Sequence, residues 1–266
     1  MELEVLIAAM NLRNEQEHKE LIERSKITTK SILINQVTKE DRVPFDVKEG
    51  QHRLFSFKEK GLSKSRNKAI ANSVGDIALV CDDDVIYVDG YEKIIKDAYE
   101  KNPDADIIAF YIESTNPDRP TRHVEDGPVD FAKSLKICSC SITFKIDSIK
   151  KAGLKFNELF GAGAKYYMGE ENIFLANALE KGLKIISIDV KIADVIQEES
   201  TWFGTFDRNY FLLRGAVYYE LSHEHYKDLI YDFAERKREL YEKNLTYDEA
   251  IKAMFEGVEE YLSLKE

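Results

Sequence analysis

Three aspartates in a row, Asp82, Asp83 and Asp84, close the apolar run Ile77, Ala78, Leu79, Val80, Cys81. A continuous apolar run is the pattern of a strand covered on both faces, as in a parallel sheet. Ligands of open α/β sheets bind beyond the carboxyl ends of strands, so these carboxylates stand where chemistry is usually done. In an extended chain residues i and i+2 share a side, which would let Asp82 and Asp84 serve one site. Neighbouring carboxylates repel unless a cation screens them. Mg2+ or Mn2+ is the natural counter-charge, because such ions seek oxygen ligands and take several of them from substrate phosphates. Upstream, residues 61–75 (GLSKSRNKAIANSVG) read as a helix capped by Ser63 and ended by Gly75. Between Lys58 and Lys68 stand five basic residues and one acid, in a chain of formal net charge -11. That local excess, with Lys64, Arg66 and Lys68 at a positive helix end, suits a diphosphate. A solvated turn after a buried strand is the plain alternative.

A second stretch, FNELFGAGAKYYMGEENIFLANALEKG, carries Glu170 and Glu171 in the first turn of a helix that Gly182 ends. The helix dipole alone would justify acids there, and proton abstraction is the other use of a carboxylate pair. Before it, the small-residue loop 160–164 could lie close to a ligand. Two amides stand at further strand ends: Asn11 after Val5–Met10, and Asn35 after Ser31–Ile34. Either could read a base or a sugar, and loop capping is an equal account of Asn35.

In order, Gly61, Leu62, Ser63, then Ser65, Arg66, Asn67, a strand and the D-x-D aspartates resemble family 2 glycosyltransferases of the GT-A fold, over roughly residues 3–200. The resemblance implies an α/β, Rossmann-like, mostly parallel sheet flanked by helices. It implies nucleotide-binding roles for Asn11, Asn35, Arg66, Asp82 and Asp83, and metal binding by Asp84 with Asp82. Where the family usually has an E-D pair this chain has Glu170 and Glu171. The resemblance makes Glu171 the general base and leaves Glu170 as the alternative. The family's uracil-reading aspartate is replaced by Asn35, and no histidine stands in IADVIQEESTWF to complete a metal site. The activity implied is metal-dependent, inverting transfer from a nucleotide diphosphate sugar, most simply a UDP-sugar, to a hydroxyl of a saccharide or lipid-linked acceptor. The setting that the resemblance implies is bacterial polysaccharide or glycoconjugate synthesis. Two other readings stand beside it. One is a phosphohydrolase with Asp82 as nucleophile and Asp84 as acid, which usually puts that motif on its first strand; the other is a non-catalytic nucleotide-binding module.

The elements that must position these residues fit 266 residues, 44% of them hydrophobic. Residues 1–204 are expected to form the transferase domain. Residues 205–266 read as a C-terminal helical extension packed on that domain or, in a homodimer, on a second subunit. Strands are expected at Arg53–Phe57, Ala105–Ile112, Cys138–Ile146 and Leu183–Val190 as well. Helices are expected at Glu15–Arg24, after a cap at Asp89, at Asp147–Ala152, and in a last stripe of Tyr247, Ile251, Met254, Val258 and Tyr261 with a Thr246/Glu249 capping box. Residues 116–128, with Arg119, Arg122 and His123, read as an exposed loop, with a mobile lid or an acceptor contact as the alternatives. Trp202 and Phe203 either cover the donor or pack where the extension joins. His223 and His225 read as exposed. An acidic pI near 5.1 argues against nucleic acid and anionic membranes as partners. Buried thiols at Cys81, Cys138 and Cys140 suit a reducing cytoplasm. With no signal peptide and no run of about 20 apolar residues, the chain is expected to be cytoplasmic, meeting the inner membrane only through its acceptor.

Overall fold

The computed structural model describes residues 1–196 and 205–265; Trp202, Phe203 and the expected boundary at 204 lie outside them. The run LEVLIAAM makes β1 (Leu3–Met10), buried at every position but the last, as a central strand requires. In chain order α1 (Glu15–Arg24), β2 (Lys30–Gln36), β3 (His52–Phe57), α2 (Leu62–Asn72), β4 (Ile77–Asp82), β5 (Val85–Tyr87), α3 (Tyr91–Lys101) and β6 (Ile107–Ser114) follow. Next are β7 (Gly127–Pro128), α4 (Phe131–Ser134), β8 (Ile142–Lys145), α5 (Ile146–Lys151), α6 (Glu170–Glu180) and β9 (Ile185–Val195). The chain ends in α7 (Arg208–Leu221), α8 (Tyr226–Arg236), α9 (Arg238–Tyr241) and α10 (Tyr247–Ser263).

Strands β3, β2, β1 and β4 run parallel, side by side. β8 then pairs antiparallel with both β4 and β6, and β9 continues parallel to β6 with β5 and β7 antiparallel on it. Helices α1 and α3 cover one face through Leu21, Ile22, Ile95 and Tyr99. On the other face lie α2, α5 and α6, through Ile70, Ile149 and Phe174. The C-terminal helices form a third core that takes in Phe160, Tyr166 and Ile173 from the first part of the chain. They therefore pack against α6 and the loop before it.

Several local expectations give way to tertiary demands. Ser63 does not cap α2. The cap position is Gly61, at φ 139°, and the buried Ser63 hydroxyl instead donates to the carbonyl of Phe160 at 2.7 Å. Gly75 does not end that helix, which stops at the extended Ser73. Its smallness serves Glu4, whose Cβ would lie 2.9 Å from a Cβ at residue 75. The Glu4 carboxylate is buried and accepts from Ser73 Oγ, from the amides of Val74 and Gly75, and from Arg53, tying β1 to the turn before β4. The left-handed Gly90, not Asp89, precedes α3. A turn of 3-10 helix at Ser139–Ser141 delays β8 to Ile142. The extended chain also ends at Asp82, so Asp83 and Asp84 lie in a turn and the alternation argument for Asp82 and Asp84 does not apply.

The C-terminal core depends on two glycines. A Cβ at Gly215 would lie 1.8 Å from the carbonyl oxygen of Met254, and one at Gly257 would lie 1.8 Å from that of Leu212. Helices α7 and α10 thus touch backbone to backbone. Gly215→Ala should destabilise the protein by about 3 kcal/mol or more, above the ordinary range for overpacking because backbone cannot yield as a side chain does. Urea unfolding measures this, and a loss below about 0.5 kcal/mol would contradict the close crossing.

Candidate active site

The centre of the site is Arg66, 2% exposed, on the second turn of α2. Its Nη1 donates to Glu170 Oε1 at 2.9 Å and its Nη2 to Asp82 Oδ1 at 3.0 Å. The guanidinium lies 5.4 Å from the Phe156 ring centroid, and its buried Nε has no hydrogen-bond partner among the described residues. One cation thus joins α2, the end of β4 and the start of α6. The charge expected to face a diphosphate is largely satisfied within the protein. Lys68 likewise pairs with Glu59, while Lys64 is half-buried.

Nor is the amino end of α2 open. The amide of Leu62 donates to the carbonyl of Ala162 at 2.8 Å, and that of Gly61 to Gln36 Oε1 at 2.6 Å. Loop 160–164 approaches this helix rather than leaving it to a ligand. Its glycines are required by that approach. Gly161, at φ 96°, stands where a Cβ would come 3.1 Å from Glu170 Cγ.

Asp84 is half-buried and is pushed up to about 6, first by burial and then by the charges of Asp82 and Asp83. Asp83 is exposed, and its carbonyl accepts from Arg24 Nη2 at 2.7 Å. Among the described residues no group of three or more acids, histidines or cysteines is arranged around a metal position. The donor chemistry nevertheless fits Mg2+ or Mn2+, which commonly take one or two protein carboxylates and complete their shell from phosphates and water. A cation would relieve the repulsion that raises Asp84.

Glu171 follows in the first turn of α6, whose N-cap is the left-handed Gly169. Burial and then the charge of Glu170 raise its proton affinity above that of an ordinary carboxyl. Burial beside a second acid thus outweighs the helix dipole, which by itself would favour the charged form. Glu171 also lines a cavity of about 300 Å³ that contains Arg119, Arg122 and Lys136.

The two amides are engaged by loops. Asn11, at φ 58°, accepts through Oδ1 from the amides of Thr38 and Lys39. Asn35 is fully buried; it accepts from the amide of Leu12 at 3.0 Å and donates to Ser56 Oγ at 3.1 Å. Both hold the loops at the ends of β1 and β2. His223 and His225 are exposed, as expected. A residue that sequence reasoning passed over is Arg214, on α7. It sits among the rings of Tyr210, Tyr218 and Phe233, donates to Tyr210 Oη at 2.6 Å, and is close enough to Glu171 for their charges to interact. Nothing in its helical context singles it out.

A mixed sheet with a strand-end aspartate cluster and an acidic helix start opposite it defines an α/β transferase of the GT-A type. Residues 38–160, a little under half of the chain, match the family model for glycosyl transferase family 2. No curated protein matches it. Among solved structures it is similar to S. aureus TarS 1-349 in complex with UDP-GlcNAc, at 13% identity and a TM-score of 0.66, over 97% of this chain and 82% of that one. The same protein in complex with UDP gives 12% identity and a TM-score of 0.61, over 99% and 83%. A longer TarS structure is spanned over only 45% of its length, at 14% identity and a TM-score of 0.59. These likenesses show the fold. No helix among the described residues is long and apolar enough to cross a membrane.

Removing Arg66 leaves two carboxylates without their counter-charge. Arg66→Met should cost about 3 kcal/mol, the low end for breaking a buried pair because Asp82 is 31% exposed. Adding Glu170→Gln should restore part of that loss in urea unfolding. A double variant as unstable as the sum of the singles would show that the bridge is energetically idle.

Proposed function

We propose that the chain transfers a sugar from a UDP-sugar to an acceptor hydroxyl with inversion, using Glu171 as the base and a divalent cation at Asp84 and Asp82. One observation carries this reading: Arg66 fixes Glu170 as a paired carboxylate, leaving Glu171 beside it with raised proton affinity, open to a cavity. A base works best when its proton affinity lies near the working pH, and an ordinary carboxylate is too weak to take a hydroxyl proton efficiently. Glu170 contributes through its charge and Arg66 through its position. The cation, when bound, would neutralise charge on the departing diphosphate. The uridine donor is supported by the UDP and UDP-GlcNAc carried by structures of the same fold. Residues 1–204 hold these groups in this reading. Helices α7 to α10 buttress α6 from behind.

Glu171→Gln keeps the shape and removes the proton acceptor, so turnover should fall about 10² to 10⁴-fold with donor affinity little changed. In the native enzyme kcat/KM should rise with pH through a value above 4.5, the ordinary carboxyl value, because the base must first lose its proton. The variant should lose that limb. The same shift carries a stability signature. The folded state holds a proton that the unfolded chain has released, so stability falls as pH climbs from 4.5 through the folded value, and Glu171→Gln should flatten that fall. Near-normal turnover in the variant would remove Glu171 from the chemistry.

UDP binding should require Mg2+ or Mn2+. Calorimetry with and without a chelator tests this, and Asp84→Asn should abolish the difference. UDP affinity that is unchanged by chelation would count against a metal at this turn.

A further inference from the structure

We infer that the acceptor is anionic, carrying a phosphate or carboxylate near its reactive hydroxyl, and that Arg119, Arg122 and Lys136 seat that group in the cavity beside Glu171. The inference rests on Glu171 as the base and adds what kind of molecule presents the hydroxyl. The cavity, at about 300 Å³, is at the lower end of the range that holds small ligands, enough for a monosaccharide with one charged substituent. Its three cations are exposed, and no described residue pairs with their side chains. Elsewhere on the surface Lys19, Lys93, Lys96, Lys151 and Arg236 each pair with an acid one helical turn away. Three unpaired cations around one cavity form a local field of opposite sign to the whole molecule, the condition for drawing in an anion.

The loop that carries two of them is anchored. On one side of Arg122, Thr121 Oγ1 donates to the carbonyl of Ile112 at 2.5 Å. On the other side, His123 stacks on Tyr111 with ring centroids 3.9 Å apart and makes a 2.8 Å hydrogen bond with Asp189. Pro117 and Pro120 restrict the backbone around Arg119. The arginines are thus presented on a braced segment, which lowers the entropy lost when their planar forks engage an oxyanion. Lys136 comes from the other wall, after α4. An anion held by these groups puts an attached hydroxyl within the same cavity as the Glu171 carboxylate.

The test uses three probes that share one ring: glucose, glucose 6-phosphate and glucuronate. Calorimetry without donor should show glucose 6-phosphate binding at least about tenfold more tightly than glucose, a difference of about 1.4 kcal/mol. That advantage should vanish in the combined Arg119→Gln, Arg122→Gln, Lys136→Gln variant and fade with added salt. Arg119→Lys with Arg122→Lys should keep part of it. Glucuronate matching the phosphate probe supports a general oxyanion seat, and glucuronate behaving like glucose supports a phosphate-selective one. Equal binding of glucose and glucose 6-phosphate overturns the inference. So does unchanged binding in the glutamine variant, or an equal loss of UDP affinity in it, which would assign the cations to the donor. Glu171→Gln separates the two readings: if turnover survives while anion binding stands, the base assignment fails and the anionic seat does not.

Discussion

The bridge from Arg66 to Asp82 and Glu170 is the interaction on which the rest of the site depends. A guanidinium that is 2% exposed is tolerable only with its charge matched, and two carboxylates from different elements match it. To bring them there, α2 must begin at Gly61, loop 160–164 must cross its amino end, and Gly161 must leave room for the Glu170 side chain. Planar and bidentate, arginine can hold one carboxylate on each terminal nitrogen; lysine could not do so with the same geometry.

The bridge also sorts the remaining acids. Asp82 and Glu170 are paired; Asp84 and Glu171, their neighbours, have no cation partner among the described residues, and both have raised proton affinity from burial and adjacent charge. Such perturbation in one region is the usual mark of a functional site. In the proposed reading the two groups relieve it differently. A cation and diphosphate oxygens supply the missing counter-charge at the turn after β4, and a proton is taken from a substrate hydroxyl in the first turn of α6.

Behind α6, the C-terminal helices act as a support. The glycine crossing of α7 and α10 sets how deep their side chains reach, and Phe160, Tyr166 and Ile173 carry that packing to the loop and helix that present Glu170 and Glu171. Arg214 brings a second cation near the same helix start, cushioned by aromatic rings. The extension is thereby part of the electrostatic setting of the site.

Local chemistry determined much of this protein from sequence alone. Helix α1 falls at Glu15–Arg24 as its pattern predicts, the capping box at Thr246 and Glu249 forms, and the apolar runs become strands of a mainly parallel sheet. The strand-end aspartates and the acidic helix start were legible because residue type and position relative to an element suffice to find them. Their partners were not. Arg66 and Glu170 are 104 positions apart, and Ser63 and Phe160 are 97 apart. Whether an arginine faces a ligand or a carboxylate is decided by which elements the tertiary fold brings together. Ser63 and Gly75 depart from their local preferences for the same reason, outweighed by the space and hydrogen bonds that distant segments require. The cations around Glu171 come from segments that only the fold makes neighbours, and so the character of that cavity is a property of the tertiary structure.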